Sequence, residues 1–385
     1  MRVLYFMNHA DEGGAALALY DLIENLKYHK DIVPIIITGK KNKLNKMLDD
    51  IGIENYYAPF KNFISSYKKP KQIFRILLLI RYIFCKPLAC YLIEKKINFN
   101  DIDLIHTNLD RIDIGAYFSK KYSIPHIWHI REHLDDDFEV VSIFKNYIEH
   151  MEKYNSTYIA ISNSVREKWI SRGLPRKKIK LIYDGVKPNN LIKISHNYKD
   201  NMRIVFLGGY YKNKGQEFFI EALNKLPDKI RNDIQVDFYG NGNKSYVEYL
   251  ENKVKKYNLT NLNLYGYDSN IYDKLDEYNV GINCSKAEGF GRITVEYMLS
   301  GVCPLVSNTG ANCELVEHES TGYIYKYNDL DDLVDKIVTI NNSIKSGKIY
   351  DINSNARKKA ITEYTIEQHC RRTVKLYKKL IKYID

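Results

Sequence analysis

The sequence is poor in cysteine, proline and tryptophan and lacks an uninterrupted apolar run of membrane-spanning length. Its six cysteines include no CxxC pair, which excludes a dense disulfide framework and favours a reducing compartment. Nine prolines and 20 glycines in 385 residues exclude collagen-like and low-complexity chains. The first apolar run ends at Asn8, too early for a signal peptide. Because Arg75, Arg81 and Lys86 interrupt the most apolar stretch, residues 73–90, we expect no spanning helix.

What the sequence has in excess is positive charge, with 58 Lys and Arg against 47 Asp and Glu and a net charge of +11. Nine basic residues and one acidic residue lie within Lys61–Lys96, among Phe, Ile, Leu and Tyr. This pattern is typical of a helix on an anionic membrane surface and equally of a surface helix with a buried apolar face. No zinc-finger spacing, RNP-type strand or basic zipper occurs, so we expect no nucleic acid partner.

Short β-branched runs alternate with longer amphipathic ones, which predicts an α/β fold with parallel sheets. The length favours two domains, and the alternation restarts at Arg203 after a polar stretch. We therefore predict two Rossmann-like halves, residues 1–190 and 200–365, joined near residue 195. The amphipathic run 366–385 is predicted to be a helix that could pack back on either half, with the N-terminal domain as the preferred choice.

The densest motif is Ser285-Lys-Ala-Glu288-Gly-Phe-Gly291-Arg-Ile-Thr-Val-Glu296, directly after a predicted strand ending at Cys284. A strand that runs through a glycine-flanked loop into a helix presents backbone N–H groups to an anion or to hydroxyl groups. Two carboxylates on either side of a phosphate-sized gap suit a sugar nucleotide, one for the hexose and one for the ribose. The same window also fits an ordinary turn with two solvated glutamates.

Two further glycine turns follow predicted strands. Gly208-Gly-Tyr-Tyr-Lys-Asn-Lys214-Gly215 leads into a predicted helix, where the lysine adds its charge to the helix dipole and favours a pyrophosphate. Gly13-Gly14 follows the first strand and is placed to face the same phosphate. Each turn alone is a weak signal.

The ordered set of motifs resembles a retaining GT-B glycosyltransferase of family four, or group 1, the type found in bacterial capsule and lipopolysaccharide synthesis. The resemblance covers nearly the whole chain and is strongest over residues 203–325. The remaining motifs that carry it are Ala160-Ile-Ser-Asn-Ser164, Ile182-Tyr-Asp-Gly185-Val and Gly301-Val-Cys-Pro-Leu-Val306. It implies two Rossmann-like domains whose parallel sheets face each other across a cleft.

The resemblance also implies roles for individual residues. Glu288 and Lys214 are expected to be catalytic, Glu288 binding sugar hydroxyls and Lys214 neutralising the diphosphate. Glu296 is expected to bind the ribose. The remaining donor-binding candidates are Gly14, Gly208, Gly289, Phe290 and Gly291, and the further candidates are Gly13, Lys212, Arg131, Arg292 and Thr294.

Two positions depart from the family pattern. The arginine that commonly follows the first C-terminal strand is replaced by Gly209, and Lys212 or Arg292 are the candidate substitutes. The family's N-terminal-domain histidine falls on His129 or on Arg131, and His129 is the catalytic candidate. We assign no covalent nucleophile, because the resemblance implies front-face attack in which the departing phosphate helps deprotonate the acceptor.

The resulting hypothesis is a hexosyltransferase, cytoplasmic and peripheral on the inner face of the membrane, that uses no metal or other cofactor. Its expected partners are a nucleotide-sugar donor, with UDP as the expected nucleotide, a lipid-linked glycan acceptor and an anionic membrane surface bound through Lys61–Lys96. The acidic run Asp135–Asp137 and the spacing of His126, His129 and His133 are set aside as metal sites. The alternatives are a nucleotide-sugar epimerase of the same fold and a non-catalytic basic module on a membrane or nucleic acid.

Overall fold

The computed structural model describes residues 1–8, 14–29, 31–67, 70–134, 139–188 and 201–382. The chain divides into two compact units. The N-terminal unit comprises Met1–Gly185 together with Ile366–Asp385, and the C-terminal unit comprises Val186–Thr365. The junction predicted near residue 195 lies outside the described residues.

The N-terminal unit is built on a seven-stranded parallel sheet with a separate antiparallel pair of short strands. Its strands are β1 (Arg2–Met7), β2 (Val33–Thr38), β3 (Asn55–Tyr57), β4 (Ile64–Ser66), β5 (Leu104–Thr107), β6 (His126–Ile130), β7 (Val140–Ser142), β8 (Thr157–Ala160) and β9 (Ile179–Leu181). Its first six helices are α1 (Gly14–Leu26), α2 (Lys43–Asp50), α3 (Lys71–Glu94), α4 (Ile114–Tyr122), α5 (Tyr147–Glu152) and α6 (Asn163–Ser171). The sheet order is β3-β2-β1-β5-β6-β8-β9, and β4 pairs with β7.

The C-terminal unit contains a six-stranded parallel sheet. Its strands are β10 (Arg203–Leu207), β11 (Gln235–Tyr239), β12 (Leu262–Tyr265), β13 (Val280–Asn283), β14 (Cys303–Ser307) and β15 (Tyr323–Tyr325), in the order β12-β11-β10-β13-β14-β15. Its helices are α7 (Gln216–Lys225), α8 (Asp228–Asp233), α9 (Lys244–Lys256), α10 (Arg292–Leu299), α11 (Asn312–Leu315), α12 (Leu330–Lys345) and α13 (Lys348–Glu363).

Both sheets have the doubly wound order in which the chain reverses direction across the sheet after its third strand. The reversal falls between β1 and β5 in the first sheet and between β10 and β13 in the second. The central strands are buried apolar runs, as in Val3–Met7, because helices cover both faces of a parallel sheet. Ligand sites in such sheets lie at the carboxyl edge of the strands beside the reversal.

The last helix, α14 (Ile366–Ile381), packs on the N-terminal unit. Its Tyr377 hydroxyl lies 2.5 Å from His106 Nδ1 and 2.9 Å from the Tyr5 hydroxyl, in the middle of the core. The apolar stripe predicted for this run includes Ile366, Val374 and Leu376, which are buried in the same core. Burial of the apolar stripe therefore holds α14 against the unit, and the polar network fixes its position there.

One helix bears on the expectation that the chain contains no spanning helix. By length and composition alone α3, with 24 residues, is long and apolar enough to cross a membrane, and it is the single helix of this kind in the described part of the chain. Arg81 and Lys86 interrupt the apolar run without ending the helix, so counting charge-free residues underestimated the length of the apolar segment. Pro87 also lies inside this helix.

Candidate active site

Two loops of the C-terminal unit lie side by side at the carboxyl edge of its sheet, where β10 pairs with β13. One loop leads from β10 to α7 and the other from β13 to α10. The backbone N–H of Lys286 donates to the carbonyl of Asn213 at 3.0 Å and ties the loops together. At Gly215 (φ +83°) a Cβ would lie 2.6 Å from the carbonyl oxygen of Cys284, so only glycine permits this contact. The two motifs predicted to bind one sugar nucleotide are thus adjacent.

The helices α7 and α10 both begin at this edge without a side-chain cap from the described residues. Their preceding residues, Gly215 and Gly291, adopt left-handed conformations with φ of +83° and +94°. The first-turn N–H groups of a helix lack partners within the helix and carry its partial positive charge. Two such helix starts on adjacent strands form a natural seat for a diphosphate.

Lys214 and Glu288 meet at this edge. Lys214 Nζ lies 3.6 Å from Glu288 Oε2 and 3.4 Å from Ser285 Oγ. The Lys214 side chain is 35% exposed and that of Glu288 is 16% exposed, so both remain accessible to a ligand. Lys212, one of the candidate additional cations, is exposed, and Arg292 is half-buried at the start of α10. The structure therefore brings the two proposed catalytic residues of this unit together.

Backbone packing and a buried amide hold Glu288 in position. Asn283 Nδ2 lies 3.4 Å from Glu288 Oε2, and the backbone N–H of Ala311 donates to the Glu288 carbonyl at 2.9 Å. A Cβ at Gly310 (φ +53°) would lie 2.2 Å from that same carbonyl oxygen. The glutamate loop is consequently pressed against the turn that follows β14.

Thr294 belongs to the support behind Glu288. Its hydroxyl is fully buried, 3.2 Å from Asn283 Nδ2 and 3.4 Å from Asn312 Oδ1. Thr294 had been a further donor-binding candidate, and the structure places it where it orients Asn283. The Phe290 ring is also buried, 6.0 Å from the ring of Tyr364, so Phe290 presents its backbone to the site.

Glu296 lies half-buried on α10 and interacts with Tyr272. The negative charge of Glu296, together with burial, raises the pKa of Tyr272 above its usual range, and the tyrosine side chain is hydrogen-bonded to the carboxylate. The positive charge of Arg292 opposes this shift and lowers the pKa of the same Tyr272 hydroxyl. The Glu296 carboxylate is thus oriented before any ligand binds, as a diol-binding group needs to be.

The N-terminal candidates form a different kind of arrangement. Arg131, directly after β6, donates from Nη1 to both oxygens of Asp184 at 2.8 and 2.6 Å and from Nε to Asn108 Oδ1 at 3.0 Å. The pair is almost completely buried. Asp184 belongs to one of the motifs that carried the family resemblance. The contact gives Asp184 a structural role, because its carboxylate neutralises the charge of Arg131.

His129 has no exposed surface. Its Nδ1 lies 3.1 Å from His106 Nε2, and its Nε2 has no hydrogen-bond partner among the described residues. Burial, and then the charge of Arg131, hold the pKa of His129 well below its usual range, so the ring is neutral. A catalytic role for His129 stays a prediction, and the observed position favours a role in supporting Arg131.

The glycine turn after β1 is only partly described. Gly13 lies outside the described residues, whereas Gly14 is the exposed first residue of α1. Asn108 Nδ2 donates to the Ala15 carbonyl at 3.2 Å and fixes this helix start near the end of β5. Asp135–Asp137 also lie outside the described residues, and among the residues that the structure describes the His, Cys, Asp and Glu side chains form no group of three suited to a metal.

Sequence reasoning did not single out Asn283, Gly310 or Asn312. A signal existed for the first, because Asn283 is a polar residue that ends the otherwise apolar strand β13. A turn was readable in Thr309-Gly310 after β14, but its contact with the Glu288 loop depends on tertiary structure.

Residues 189–359 match the sequence family described as Glycosyl transferases group 1. Among curated proteins, an uncharacterized glycosyltransferase of Methanocaldococcus jannaschii is 28% identical over 254 residues, which are 63% of this chain and 66% of that protein. The Staphylococcus aureus capsular polysaccharide biosynthesis glycosyltransferase CapH is 22% identical over 328 residues, 83% of this chain and 84% of CapH.

Solved structures extend the similarity over nearly the whole chain. Anabaena HepE in complex with UDP matches with a TM-score of 0.78 and 20% identity over 98% of this chain and 100% of HepE. A mutant of S. aureus TarM, crystallised with fondaparinux, alpha-GlcNAc-glycerol and UDP, matches with a TM-score of 0.75 and 15% identity over 98% and 99%. At such identities the likeness establishes the fold alone.

Proposed function

We propose that this chain, which is a group 1 glycosyltransferase of the GT-B fold, moves a hexose from a UDP-sugar to a lipid-linked or polysaccharide acceptor in cell-surface glycan synthesis. The observation that carries the proposal is the pairing of Lys214 with Glu288 beside two uncapped helix starts. The UDP bound in HepE supports the choice of nucleotide, and the capsular role in the name of CapH supports the choice of product.

The donor diphosphate would bind over Gly208 and the first turn of α7. Breaking the bond between the anomeric carbon and the phosphate oxygen leaves negative charge on the β-phosphate, so cations and N–H dipoles fixed at that place lower the barrier. Lys214 supplies a full charge there, and the helix starts supply partial ones. Gly14 is the proposed contribution of the N-terminal unit to the same phosphate.

The sugar and the ribose would each be held by one carboxylate. Glu288, with the backbone of Gly289, Phe290 and Gly291, would accept hydrogen bonds from hexose hydroxyls, and Glu296 would accept them from the ribose. When the donor binds, the diphosphate replaces Glu288 as the partner of Lys214 and leaves the carboxylate available to the sugar.

The proposed stereochemistry is retention without a covalent enzyme intermediate. The bond from the anomeric carbon to the phosphate oxygen breaks while the acceptor oxygen bonds to that carbon from the same face. The acceptor proton passes to an oxygen of the departing phosphate. This route needs no nucleophilic carboxylate, so Glu288 is assigned to the sugar hydroxyls alone.

The proposed setting is the cytoplasmic face of a membrane that carries the acceptor. The basic segment Lys61–Lys96 has a net charge of +8 and supports attraction to anionic lipid, each Lys or Arg near the surface adding about 1 kcal/mol. Lys68 and Lys69 lie outside the described residues.

The experiment is a transfer assay with labelled UDP- and GDP-sugars, scored separately for transfer to a membrane glycolipid fraction, hydrolysis and sugar interconversion. Replacing Glu288 by Gln should lower transfer at least 100-fold, on the order of the loss of one transition-state contact, with an unchanged melting temperature. Glu248→Gln, on an exposed carboxylate of α9, is the matched control and should be silent.

Interconversion of the donor sugar without transfer would establish the epimerase alternative. Absence of any nucleotide binding would contradict both enzymatic alternatives.

A further inference from the structure

Helix α3 is attached to the N-terminal unit along its entire length by one face. Arg75 donates to the Ile143 carbonyl at 3.2 Å, and Tyr82 and Lys86 both contact Asp113 Oδ2, at 2.5 and 2.8 Å. The buried residues of the helix are Leu78, Ala89 and Ile93. Taken together with the three residues that make these contacts, they recur at steps of three or four and so lie on one face. Since Asp113 is itself buried, this face is a permanent part of the unit.

The opposite face of α3 is apolar and uncovered. Its large apolar side chains are between 40% and 74% exposed: Ile73, Ile76, Leu77, Leu79, Ile80, Ile83, Phe84, Leu88 and Tyr91. Most recur at steps of three or four residues and form one stripe about 27 Å long from Ile73 to Tyr91, at 1.5 Å per residue. A continuous apolar stripe of this size on a soluble surface marks a binding site.

Positive charge surrounds this stripe. Lys71 lies at its start, Arg81 beside its middle, and Lys95 and Lys96 just after its end, all exposed. The one acidic residue of the segment, Glu94, is paired with Lys121. The stripe is therefore complementary to a surface that is apolar inside and negatively charged at its edge, which describes an anionic lipid leaflet.

We propose that α3 lies in the plane of an anionic membrane, with its exposed stripe inserted among the acyl chains and its opposite face bound to the protein. This inference rests on the proposed function, whose lipid-linked acceptor would lie in the same leaflet. A spanning orientation would pull Tyr82 and Lys86 away from Asp113, and of the side chains that contact this buried carboxylate in the described part of the chain His150 would remain. Pairing of two α3 stripes would bring the same positive charges together.

The test is co-sedimentation of the full chain with vesicles of phosphatidylglycerol and phosphatidylcholine, and with pure phosphatidylcholine. The triple variant Ile76→Ser, Ile80→Ser, Phe84→Ser should lower partition to the anionic vesicles at least tenfold. Ile361→Ser, at a comparably exposed position of α13, is the control and should have no effect. Part of the wild-type binding should persist at about 0.5 M salt, because apolar insertion is not screened.

A second measurement does not depend on the triple variant folding. In Phe84→Trp the introduced indole should be quenched by brominated acyl chains, whereas the buried Trp128 and Trp169 should not. Unchanged partition of the triple variant, an unquenched indole, complete release by salt, or resistance to alkaline carbonate extraction would each overturn the proposal. So would a wild-type dimer that becomes monomeric in the triple variant.

Calorimetric titration with UDP separates this proposal from the proposed function. Wild type and the triple variant should bind UDP equally. Normal UDP binding without vesicle binding would contradict only the membrane proposal, whereas vesicle binding without UDP binding would contradict the donor assignment.

Discussion

The two units share a sheet topology and differ in what occupies the carboxyl edge beside the strand reversal. In the N-terminal unit this edge holds a buried polar network of Arg131, Asp184, His106 and His129. In the C-terminal unit it holds glycines and a half-exposed Lys214 beside Glu288. The same topology thus produces a filled support in one unit and the proposed anion seat in the other, so topology locates the edge and the side chains decide its chemistry.

The contrast extends to how the two edges are held. The network in the N-terminal unit depends on the protonation states of buried groups, since burial lowers the pKa values of His106 and His129. The C-terminal edge depends on close backbone contacts that only glycine allows, as at Gly215 and Gly310. The edge of the N-terminal unit is therefore sensitive to pH, and the edge of the C-terminal unit is sensitive to added side-chain volume.

The largest expected effect follows from filling the space at Gly310. In Gly310→Ala the new Cβ collides with the Glu288 backbone and must displace the loop that carries the glutamate. Transfer activity should fall at least 100-fold, since small displacements of a reacting group cost that much. The measurement is kcat with the donor identified in the transfer assay.

Gly347→Ala is the matched control for this change. Gly347 also has a positive φ, +79°, but its Cβ would meet nothing closer than 3.8 Å. Both variants bear the backbone cost of about 1 to 2 kcal/mol, while only Gly310→Ala should lose activity. Equal activities would show that the contact behind Glu288 does not position it.

Lowering the pH should have a smaller effect, and it should unfold the N-terminal unit before the C-terminal unit. Burial lowers the pKa of His126 to about 3, so the folded state keeps this ring neutral while the unfolded chain is protonated near pH 6.5. The contribution of the neutral His126 ring to the free energy of unfolding is therefore fully present above about pH 6.5, and it is lost as the pH falls toward 3. By pH 5 the loss amounts to about 2 kcal/mol for His126.

The two tryptophans make this prediction measurable. Trp128 and Trp169 both lie in the N-terminal unit, so their emission reports its unfolding, whereas circular dichroism reports both units. The emission transition should occur at the higher pH. Asp110 opposes the trend, because burial and the charge of Glu132 raise its pKa to about 7, and its protonation stabilises the fold as the pH falls. Coincident transitions, or earlier loss of the C-terminal unit, would contradict the comparison.

Most of the fold could be predicted from the sequence, because the signal is local. The β-branched runs at Arg2–Met7, His126–Ile130, Arg203–Leu207 and Gln235–Tyr239 predict strands, and the structure has strands with these bounds. The sequence pattern does not predict short elements such as β3 and β9, since three residues carry too little periodicity. The pattern at Ile271–Glu277 predicts a helix, and the structure has a 3₁₀ helix there, a distinction that the apolar pattern does not make.

The candidate site likewise has a part that could be predicted from the sequence and a part that could not. Lys214 and Glu288 could be predicted to meet because both follow strands that end at one edge of a parallel sheet. The supports of Glu288, namely Gly310, Asn283 and Asn312, could not, because these contacts join separate segments and depend on tertiary packing. His129 and Arg131 could not be told apart by spacing, and their burial became visible only in the fold.

The central claim is that the donor diphosphate binds at the glycine edge of the C-terminal unit, and amide hydrogen exchange with and without saturating UDP tests it most directly. We predict slowed exchange in residues 209–219 and 286–295, which include the first turns of α7 and α10. Exchange in β5 and β6 should be unchanged. Unchanged exchange in both C-terminal segments at saturating UDP would contradict the claim.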